Sequence, residues 1–467
     1  MKKTNASLLR KILTATFVIA LTLTLLVSCG TKMDTKDTIL SRVDASVESG
    51  GRGHEFVVDY LFDWGIKNIN TYKLSWAERL YQSQYVYDGG LEDTLTHASK
   101  TAKLFLDEFY DNIDLSDKNA VTDALLYCYT CTVSDPYSIY RVQEASDEYS
   151  QNLSGSFVGI GISVTLDREA NTVLVVDVFD GSPAETVGIL PGDYIYAVDG
   201  KTVDELGIDY VTDNIKGTQG TSVNITIKRG EEFLSFNPLR DSIKEYTVKH
   251  EIIEGNIGYV RISSFKSITY DQFVESVDAL EAAGVQGIIF DLRYNPGGYV
   301  RAACNMLSYM IPSGHPVLSY QYKDNELQTS TSADDIHPTK KDENGDALIS
   351  DHKISVPIVV ICDANTASSA EIFTAAVRDY RDMGLIKATI VGTTTYKKGV
   401  IQNTFTYYDG STVTFTTAYH LPPSGDSYHG VGVTPDVIVE LGQTEDTQYN
   451  AAITELQKLI NENNNLQ

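Results

Sequence analysis

The chain has 467 residues, of which 42% are hydrophobic and 21% charged, a composition typical of globular protein. Its length favours two or three domains. The formal net charge of −26 repels phosphate groups, which argues against a nucleic-acid-binding protein.

The N-terminus has the pattern of an export signal. Basic side chains within the first eleven residues precede an apolar run over about 12–27, which is short for a membrane-spanning helix. The run ends at Cys29 behind small residues, an arrangement that resembles a bacterial lipobox, in which the cysteine is lipidated and becomes the new N-terminus. We therefore predict a signal peptide over 1–28 and lipidation of Cys29; an uncleaved membrane anchor is the alternative.

Two regions follow the signal. Residues 29–54 are polar and contain several glycines, which predicts a flexible, lipidated tether. Residues 55–150 show helical periodicity and predict an N-terminal helical region. Within it, Cys128 and Cys131 have CxxC spacing but lack the second ligand pair or strand–helix junction of a metal or redox site. We predict buried thiols on one helix face; oxidation of the pair in an exported protein is the alternative.

The pattern changes in residues 151–250. Short runs rich in β-branched residues are separated by turns at Asp180-Gly181 and Asp199-Gly200, which predicts a compact, mostly β domain.

From Gly258 the chain alternates between strand and helix patterns. Predicted strands lie at 257–262, 285–292 and 356–362, and predicted helices at 270–283 and 369–380. This rhythm predicts an α/β core over 251–445.

Two segments of the C-terminal half stand apart from this rhythm. The charged stretch 322–355 predicts a surface excursion with hairpin character. Within 446–467, the sequence predicts an amphipathic helix over 446–460 and a frayed tail after it.

One candidate site lies where a predicted strand ends near Cys362 and a helix begins. Ser368 or Ser369 would stand at the helix N-terminus, where unpaired N–H groups and the helix dipole stabilise developing negative charge. These residues alone favour a simpler interpretation, namely a helix N-cap with Glu371 in the first turn.

A nucleophilic serine also needs a base. The chain has no G-x-S-x-G motif, and His420 and His429 lie in no recognisable triad motif. Lys397-Lys398-Gly399 offers a base, because burial can lower the pKa of a lysine toward neutrality. The alternative is that the two lysines form an ordinary solvated surface pair.

A double-glycine turn at 291–298 follows a predicted buried strand. The sequence predicts a ligand site there, because open α/β sheets bind ligands at the carboxyl ends of their strands. The alternative is a purely structural turn.

Taken in chain order, these segments resemble the C-terminal processing peptidases, or tail-specific proteases, of the S41 type. The matching segments are D-L-R-x-N-P-G-G at 291–298, the serine segment before Glu371, K-G-x-x-Q at 398–402, G-V-G-V-T-P-D at 430–436, and Asp135-Pro136-Tyr137-Ser138 upstream. The resemblance covers about 55–440. It implies a crotonase-like α/β protease core and catalysis without a metal or organic cofactor.

The resemblance assigns a role to each matching position. Ser368 would be the nucleophile, Lys398 the base, and Gln402 the residue that supports the base. The backbone N–H groups of Gly298 and Ser369 would donate to the oxyanion.

The sequence departs from the family pattern in three ways. Ser368 and Ser369 are adjacent, so Ser369 is a second candidate nucleophile; Lys397 stands where the family has glycine; and five extra residues lie between Asp379 and Lys398. These departures leave open a catalytically decayed peptide-binding scaffold lipoprotein. A crotonase-like acyl transferase or hydratase is a further alternative.

The middle domain is similar to a PDZ domain. Gly159, Ile160, Gly161 and Ile162 match its carboxylate-binding loop, whose N–H groups capture a peptide's C-terminal carboxylate while the peptide adds as a strand. A spacer or lid that binds no tail is the alternative.

The combined prediction is a serine endopeptidase of the bacterial cell envelope, lipid-anchored on a periplasmic or extracellular face. Its partners would be polypeptides with unstructured C-terminal tails, and self-association is left open.

Overall fold

The computed structural model describes residues 68–87, 91–167, 172–332, 335–341, 347–350 and 353–464. The predicted signal peptide, tether and Cys29 lie outside these ranges. Within them, no helix combines the length and apolar character needed to cross a membrane. The described chain forms two compact units. The first contains residues up to Asp147 with Tyr320–Gln328 and Val400–His420, and the second contains Glu148–Ser319, Thr329–Gly399 and residues from Leu421 onward.

The N-terminal region is helical, as predicted. Its elements are α1 (Thr71–Gln84), α2 (Leu91–Glu108), α3 (Lys118–Cys131) and the short strand β1 (Ile139–Arg141). Asp117 caps α3 by accepting the N–H groups of Asn119 and Ala120. Cys128 is buried but Cys131 is exposed, so the prediction that both thiols are buried is wrong for Cys131. The helix ends at Cys131, and its last residue leaves the core.

A β-rich domain begins the second unit. Its elements are α4 (Gln143–Ser154), which leads into it, β2 (Ser156–Gly159), β3 (Ile162–Asp167), β4 (Thr172–Val178), α5 (Pro183–Val187), β5 (Tyr194–Val198), β6 (Lys201–Thr202), α6 (Val203–Ile215), β7 (Ile225–Arg229), β8 (Glu232–Phe236) and β9 (Asp241–Lys244). The main sheet has the order β3-β4-β5-β7-β8, so β3 is its terminal strand. Valine and isoleucine side chains of this sheet and α6 form the buried core.

The remaining elements carry the predicted α/β rhythm. In chain order they are β10 (Val248–Ile253), β11 (Ile257–Ile262), α7 (Thr269–Ala282), β12 (Ile288–Asp291), α8 (Val300–Met310), β13 (Pro316–Tyr322), β14 (Leu327–Thr331), β15 (Asp335–Lys341), β16 (Ala347–Ser350), β17 (Ile358–Cys362), α9 (Ser369–Asp382), β18 (Ala388–Gly392), β19 (Val400–Thr406), β20 (Thr412–Leu421), β21 (Val437–Ile438) and α10 (Thr447–Asn464).

Six of these strands form the sheet that positions the candidate site. Its order is β10-β11-β12-β17-β18-β21, with only the β10–β11 pair antiparallel. Strands β12 and β17 are buried at every position, as expected where helices cover a parallel sheet. The predicted hairpin is present as the antiparallel pair β15–β16.

The C-terminal helix is longer than predicted. The predicted frayed tail from Asn461 is wrong up to Asn464, because α10 continues there and Asn463 accepts a hydrogen bond from Lys387. Ala452, Leu456 and Ile460 of this helix join the buried core formed with β17 and β18.

Strands β19 and β20 belong to the first unit. They pair antiparallel with each other, and β20 also pairs with β1. Buried aromatic side chains, among them Tyr81, Tyr129 and Phe415, form the core there. Two segments of the predicted α/β core, Tyr320–Gln328 and Val400–His420, therefore belong to the same unit as the N-terminal helices. The predicted limits of the domains stay predictions.

Candidate active site

Ser368 stands at the turn between β17 and α9, at the N-cap position of that helix. Its backbone has φ 54° and ψ −117°, a region that residues other than glycine rarely occupy. The side chain is half-buried, while Ala367 and Ser369 on either side are buried. A strained serine that a strand-to-helix turn presents in this way is a candidate nucleophile.

Ser369 makes a different contact. It is fully buried, and its hydroxyl donates to the carbonyl oxygen of Gly298 at 2.9 Å. As the first residue of α9, it has a backbone N–H without an intrahelical acceptor. The side chain of Ser369 therefore ties the helix to the glycine turn, and its N–H remains a candidate oxyanion donor.

The double-glycine turn passes close to the serine segment. A Cβ on Gly297 would lie 2.6 Å from the carbonyl oxygen of Ala367 and 2.8 Å from the nitrogen of Ser369. A Cβ on Gly298 would lie 2.0 Å from the carbonyl oxygen of Phe265. Both residues also have positive φ, of 91° and 138°. Only glycine fits at these two positions.

Charged residues hold this turn in place. The buried Asp291 carboxylate accepts hydrogen bonds from Arg293 at 2.6 Å and from Arg261 at 2.7 Å. The N–H of Tyr294 donates to Asp363 at 3.0 Å, which joins the glycine turn to the segment that leads to Ser368. The first half of the D-L-R-x-N-P-G-G motif is therefore a structural support.

The carboxylate of Glu371 links the candidate nucleophile to the candidate base. One oxygen accepts the N–H groups of Ser368 (2.9 Å) and Lys398 (2.8 Å). The other accepts the Thr395 hydroxyl (2.5 Å) and the N–H of Lys397 (2.7 Å). Burial raises the pKa of the Glu371 carboxyl, and these four donors oppose that rise.

The base segment is tightly bent. Lys398 is half-buried, and Lys397 before it has φ 84°, a value that suits the glycine of the family pattern. A Cβ on Gly399 would lie 2.9 Å from the backbone of His429. The N–H of Gly399 donates to Nδ1 of His429 at 3.2 Å, and burial lowers the pKa of that imidazole. A neutral His429 therefore supports the turn that carries Lys398.

The family comparison agrees with these motifs. Residues 256–439 match peptidase family S41, and residues 174–229 match a PDZ domain. The chain carries an S41 peptidase domain. The Carboxy-terminal processing protease CtpA of Bacillus subtilis (strain 168) is 32% identical over 332 residues, which cover 71% of this chain and 66% of that protein.

A second relative, named "Probable CtpA-like serine protease" in Staphylococcus aureus (strain COL), is 31% identical over 349 residues, covering 75% of this chain and 65% of that protein. The chain thus spans about two thirds of the length of these curated relatives. The solved structure of a photosystem II D1 C-terminal processing protease aligns with a TM-score of 0.44 and 22% identity, over 78% of this chain and 92% of that one. The sequence matches confirm the predicted resemblance to S41 processing peptidases with a PDZ domain.

Gln402, the predicted support of the base, lies on β19 in the first unit, next to a β-bulge. Its Nε2 donates to the hydroxyl of Thr416 at 3.2 Å. The other candidate catalytic residues belong to the second unit: Ser368, Ser369, Gly298 and Lys398.

The predicted carboxylate-binding loop lies between β2 and β3, which precede residues 174–229, the part of the chain that matches a PDZ domain. Gly159 ends β2, Ile160 is fully buried in the domain core, and Ile162 begins β3. Gly161 has φ 80°, and a Cβ there would lie 2.3 Å from Cβ of Ser182. The loop therefore leads directly into the terminal strand of the sheet.

In the part of the chain that the structure describes, no group of three or more His, Cys, Asp or Glu side chains is placed to hold a metal ion.

Sequence reasoning missed two supports of the S41 site. The sequence predicts Glu371 only as an acidic residue in the first turn of the helix, and it assigns no role to His429, which lies in no triad motif. The capping pattern does locate Glu371, but its partner Thr395 lies 24 residues along the chain. No local pattern predicts that contact.

Proposed function

We propose that the protein is a serine endopeptidase that cleaves exported polypeptides near or from their C-terminal tails by a Ser-Lys mechanism. The observation that carries the proposal is the buried Glu371 carboxylate, which binds the backbone N–H groups of Ser368 and Lys398 at the same time. A single side chain thereby fixes the segment of the nucleophile and the segment of the base relative to each other.

The chemistry follows from the assigned roles. Neutral Lys398 takes the proton of the Ser368 hydroxyl as Oγ attacks the scissile carbonyl carbon. The N–H groups of Gly298 and Ser369 donate to the oxyanion that forms. When the tetrahedral intermediate collapses, the leaving amine takes the proton from Lys398. Water then attacks the acyl-enzyme with Lys398 again as base. The role of Gln402 as the support of the base is proposed from the sequence resemblance alone.

The structure around the two serines supports Ser368, rather than Ser369, as the proposed nucleophile. The hydroxyl of Ser369 is already engaged by the Gly298 carbonyl at 2.9 Å, and the side chain is fully buried. Ser368 is more accessible and has the strained backbone of a presented nucleophile. Ser368 is therefore the proposed nucleophile and Ser369 a structural residue with a catalytic N–H.

The PDZ domain would recruit the substrate. In this proposal, the N–H groups of the Gly159–Ile162 loop receive the tail's carboxylate while the tail pairs with β3. The position of β3 at the end of its sheet supports strand addition, because its outer edge has no neighbouring strand among the described residues.

The remaining parts of the proposal rest on sequence alone. We propose that Cys29 carries lipid and holds the enzyme on the periplasmic or extracellular face of a membrane, and that the S41 domain has a crotonase-like core. The Cys29→Ser chain should move from the detergent phase to the aqueous phase on phase partition. Unchanged partition would contradict lipidation.

The decisive experiment measures cleavage of an unstructured polypeptide with an apolar C-terminus by the chain from residue 30. Ser368→Ala and Lys398→Ala are expected to abolish turnover while preserving the fold by circular dichroism. Loss in both variants would establish the Ser-Lys peptidase. Undiminished cleavage by Ser368→Ala would refute the assignment, and equal absence of turnover in all three chains would favour the decayed scaffold.

A further inference from the structure

We infer that Asn295 is a positioning residue for the proposed oxyanion donors. Its side-chain amide binds the N–H of Gly297 and leaves the N–H of Gly298 available to the oxyanion. The inference rests on the proposed function and deepens it at the same site. Asn295 is fully buried and belongs to the second unit, as do Gly298 and Ser368.

The N–H groups of the glycine turn can be accounted for one by one. Between Asn295 and Tyr299 there are four, because Pro296 has none. The first and last donate to carbonyl oxygens of neighbouring segments: Asn295 to Leu292 at 3.1 Å, and Tyr299 to Phe265 at 2.7 Å. The N–H of Gly297 donates to Oδ1 of Asn295 at 2.9 Å. Gly298 is exposed, and its N–H has no acceptor among the described residues, so it is open to an acceptor from a substrate.

The amide of Asn295 has one orientation that satisfies both of its neighbours. Nδ2 donates to the carbonyl oxygen of Ile262 at 2.8 Å, and that oxygen can only accept. The N–H of Gly297 can only donate, so it requires Oδ1. The end of β11 therefore fixes the side chain that decides which glycine N–H is used within the turn and which is left for the oxyanion.

The same stretch of chain binds both sides of the proposed nucleophile. The carbonyl oxygen of Asn295 accepts the N–H of Ala367, directly before Ser368, at 2.9 Å. The carbonyl oxygen of Gly298 accepts the hydroxyl of Ser369, directly after it, at 2.9 Å. A shift of Asn295 would therefore displace the Gly298 N–H relative to Ser368. An oxyanion donor acts over a narrow range of distances, so a small displacement lowers the rate.

The test uses two substitutions of Asn295 in the chain from residue 30. Asn295→Ala removes the amide. Asn295→Ser keeps a hydroxyl oxygen that can accept the N–H of Gly297, two residues along the chain, but loses the amide group that binds Ile262. The pair therefore separates partial from complete loss of support for the turn.

Gln272 supplies the matched control, because its side-chain amide also joins two backbone segments of the second unit. Its oxygen accepts the N–H groups of Thr247 (2.8 Å) and Val248 (3.1 Å), and its nitrogen donates to the carbonyl oxygen of Glu245 (2.7 Å). None of these partners belongs to the glycine turn or to the segment of Ser368. Gln272→Ala and Gln272→Ser thus report the effect of losing a structural amide away from the site.

We expect Asn295→Ala to lower kcat about 100-fold and Asn295→Ser about tenfold, as for a lost and a weakened oxyanion donor. KM should change less than about threefold in both, because the donor acts on the transition state. The two Gln272 variants should keep kcat within about twofold, because they leave the oxyanion donors in place.

A peptide boronate gives a second readout that a purely structural effect would not move. Oγ of Ser368 bonds to boron, the hydroxyl proton passes to Lys398, and an oxygen on the tetrahedral boron takes the position of the oxyanion. The inhibition constant should rise in the Asn295 variants by the factor by which kcat/KM falls, and it should stay at the wild-type value in the Gln272 variants.

Equal losses of kcat in the Asn295 and Gln272 variants, or wild-type affinity of the Asn295 variants for the boronate, would overturn the inference while leaving the peptidase intact. Where circular dichroism shows that Asn295→Ala does not fold, the comparison of Asn295→Ser with Gln272→Ser decides. A wild-type chain without Ser368-dependent turnover would overturn the proposed function first, and this inference with it.

Discussion

At the scale of single residues, the two adjacent serines differ in what their hydroxyls contact. We predict that Ser369→Ala keeps at least a tenth of wild-type turnover, because its hydroxyl serves Gly298 and its N–H survives the substitution. The lost hydrogen bond should lower the free energy of unfolding by about 1 kcal/mol. A steady-state peptide assay beside thermal unfolding checks both values. Complete loss of turnover together with loss of labelling by a serine-directed reagent would make Ser369 the nucleophile.

Glu371 supports a second prediction at this scale. Glu371→Gln should lower turnover about 100-fold through misplacement of Ser368 and Lys398. An amide presents a donor to N–H groups that need acceptors, so stability should also fall by about 1–3 kcal/mol. Glu231→Gln is the control, because the side chain of Glu231 is 96% exposed. Similar activities for the two variants would show that the Glu371 network does not position the site.

The residue scale also shows what the sequence could not predict. The order of the motifs was sufficient to propose Ser368 and Lys398, because each motif lies within a few residues. The network that joins them depends on Thr395 and Glu371, which meet only through the turn after β18. The strained backbone of Lys397 explains why a family pattern has glycine there, but sequence alone could not show that lysine adopts φ 84°.

At the scale of elements, prediction worked where periodicity was strong. Alternation predicts the strand at 257–262, an apolar run over 356–362 predicts the buried strand found at 358–362, and the capping pattern predicts the helix from Ser369. The errors lie at helix ends. Cys131, the last residue of α3, is exposed, and α10 continues to Asn464, with Lys387 donating a hydrogen bond to Asn463 in its last turn. Ends depend on tertiary contacts that a local pattern does not contain.

The terminal strand β3 supports a prediction for peptide binding. Gly161→Ala should weaken binding of a fluorescent C-terminal peptide at least tenfold, because the added Cβ would lie 2.3 Å from Ser182 and distort the loop. Gly181→Ala is the matched control: Gly181 also has positive φ, but a Cβ there meets nothing within 4 Å. In both variants the alanine has a positive φ, which costs about 1 kcal/mol of stability. The two variants therefore differ only in the contact that the added Cβ makes.

The same binding experiment needs a matched ligand. A peptide with an amidated C-terminus should bind the wild-type chain at least tenfold more weakly, since the loop is proposed to capture a carboxylate. Equal affinity for the free and amidated peptides, measured by fluorescence anisotropy, would favour the interpretation of the PDZ domain as a spacer or lid.

At the scale of the whole molecule, the chain alternates between its two units. It leaves the second unit after Gly399, forms β19 and β20 in the first unit, and returns at Leu421. The predicted domains are continuous ranges of the chain and therefore cannot describe this arrangement. Strands β1 and β20 pair although more than 250 residues separate them in sequence. As a result, two candidate residues that lie close in sequence belong to different units: Lys398, before Gly399, is in the second unit, and Gln402, after it, is in the first.

The stability of the first unit should depend on one buried cation. The ammonium of Lys73, whose side chain is 3% exposed, donates to Asp409 at 2.9 Å and to Asp123 at 3.2 Å, which joins α1 and α3 to the turn after β19. Lys73→Met leaves both carboxylates without their cation and should lower the free energy of unfolding by about 3 kcal/mol. This value is at the lower end of the range for broken buried ion pairs, because the Asp409 side chain is 38% exposed. Lys458→Met removes a surface pair and should cost less than about 1 kcal/mol. Thermal unfolding followed by circular dichroism compares the two; equal shifts of the midpoint would mean that the Lys73 network contributes no more than a surface ion pair.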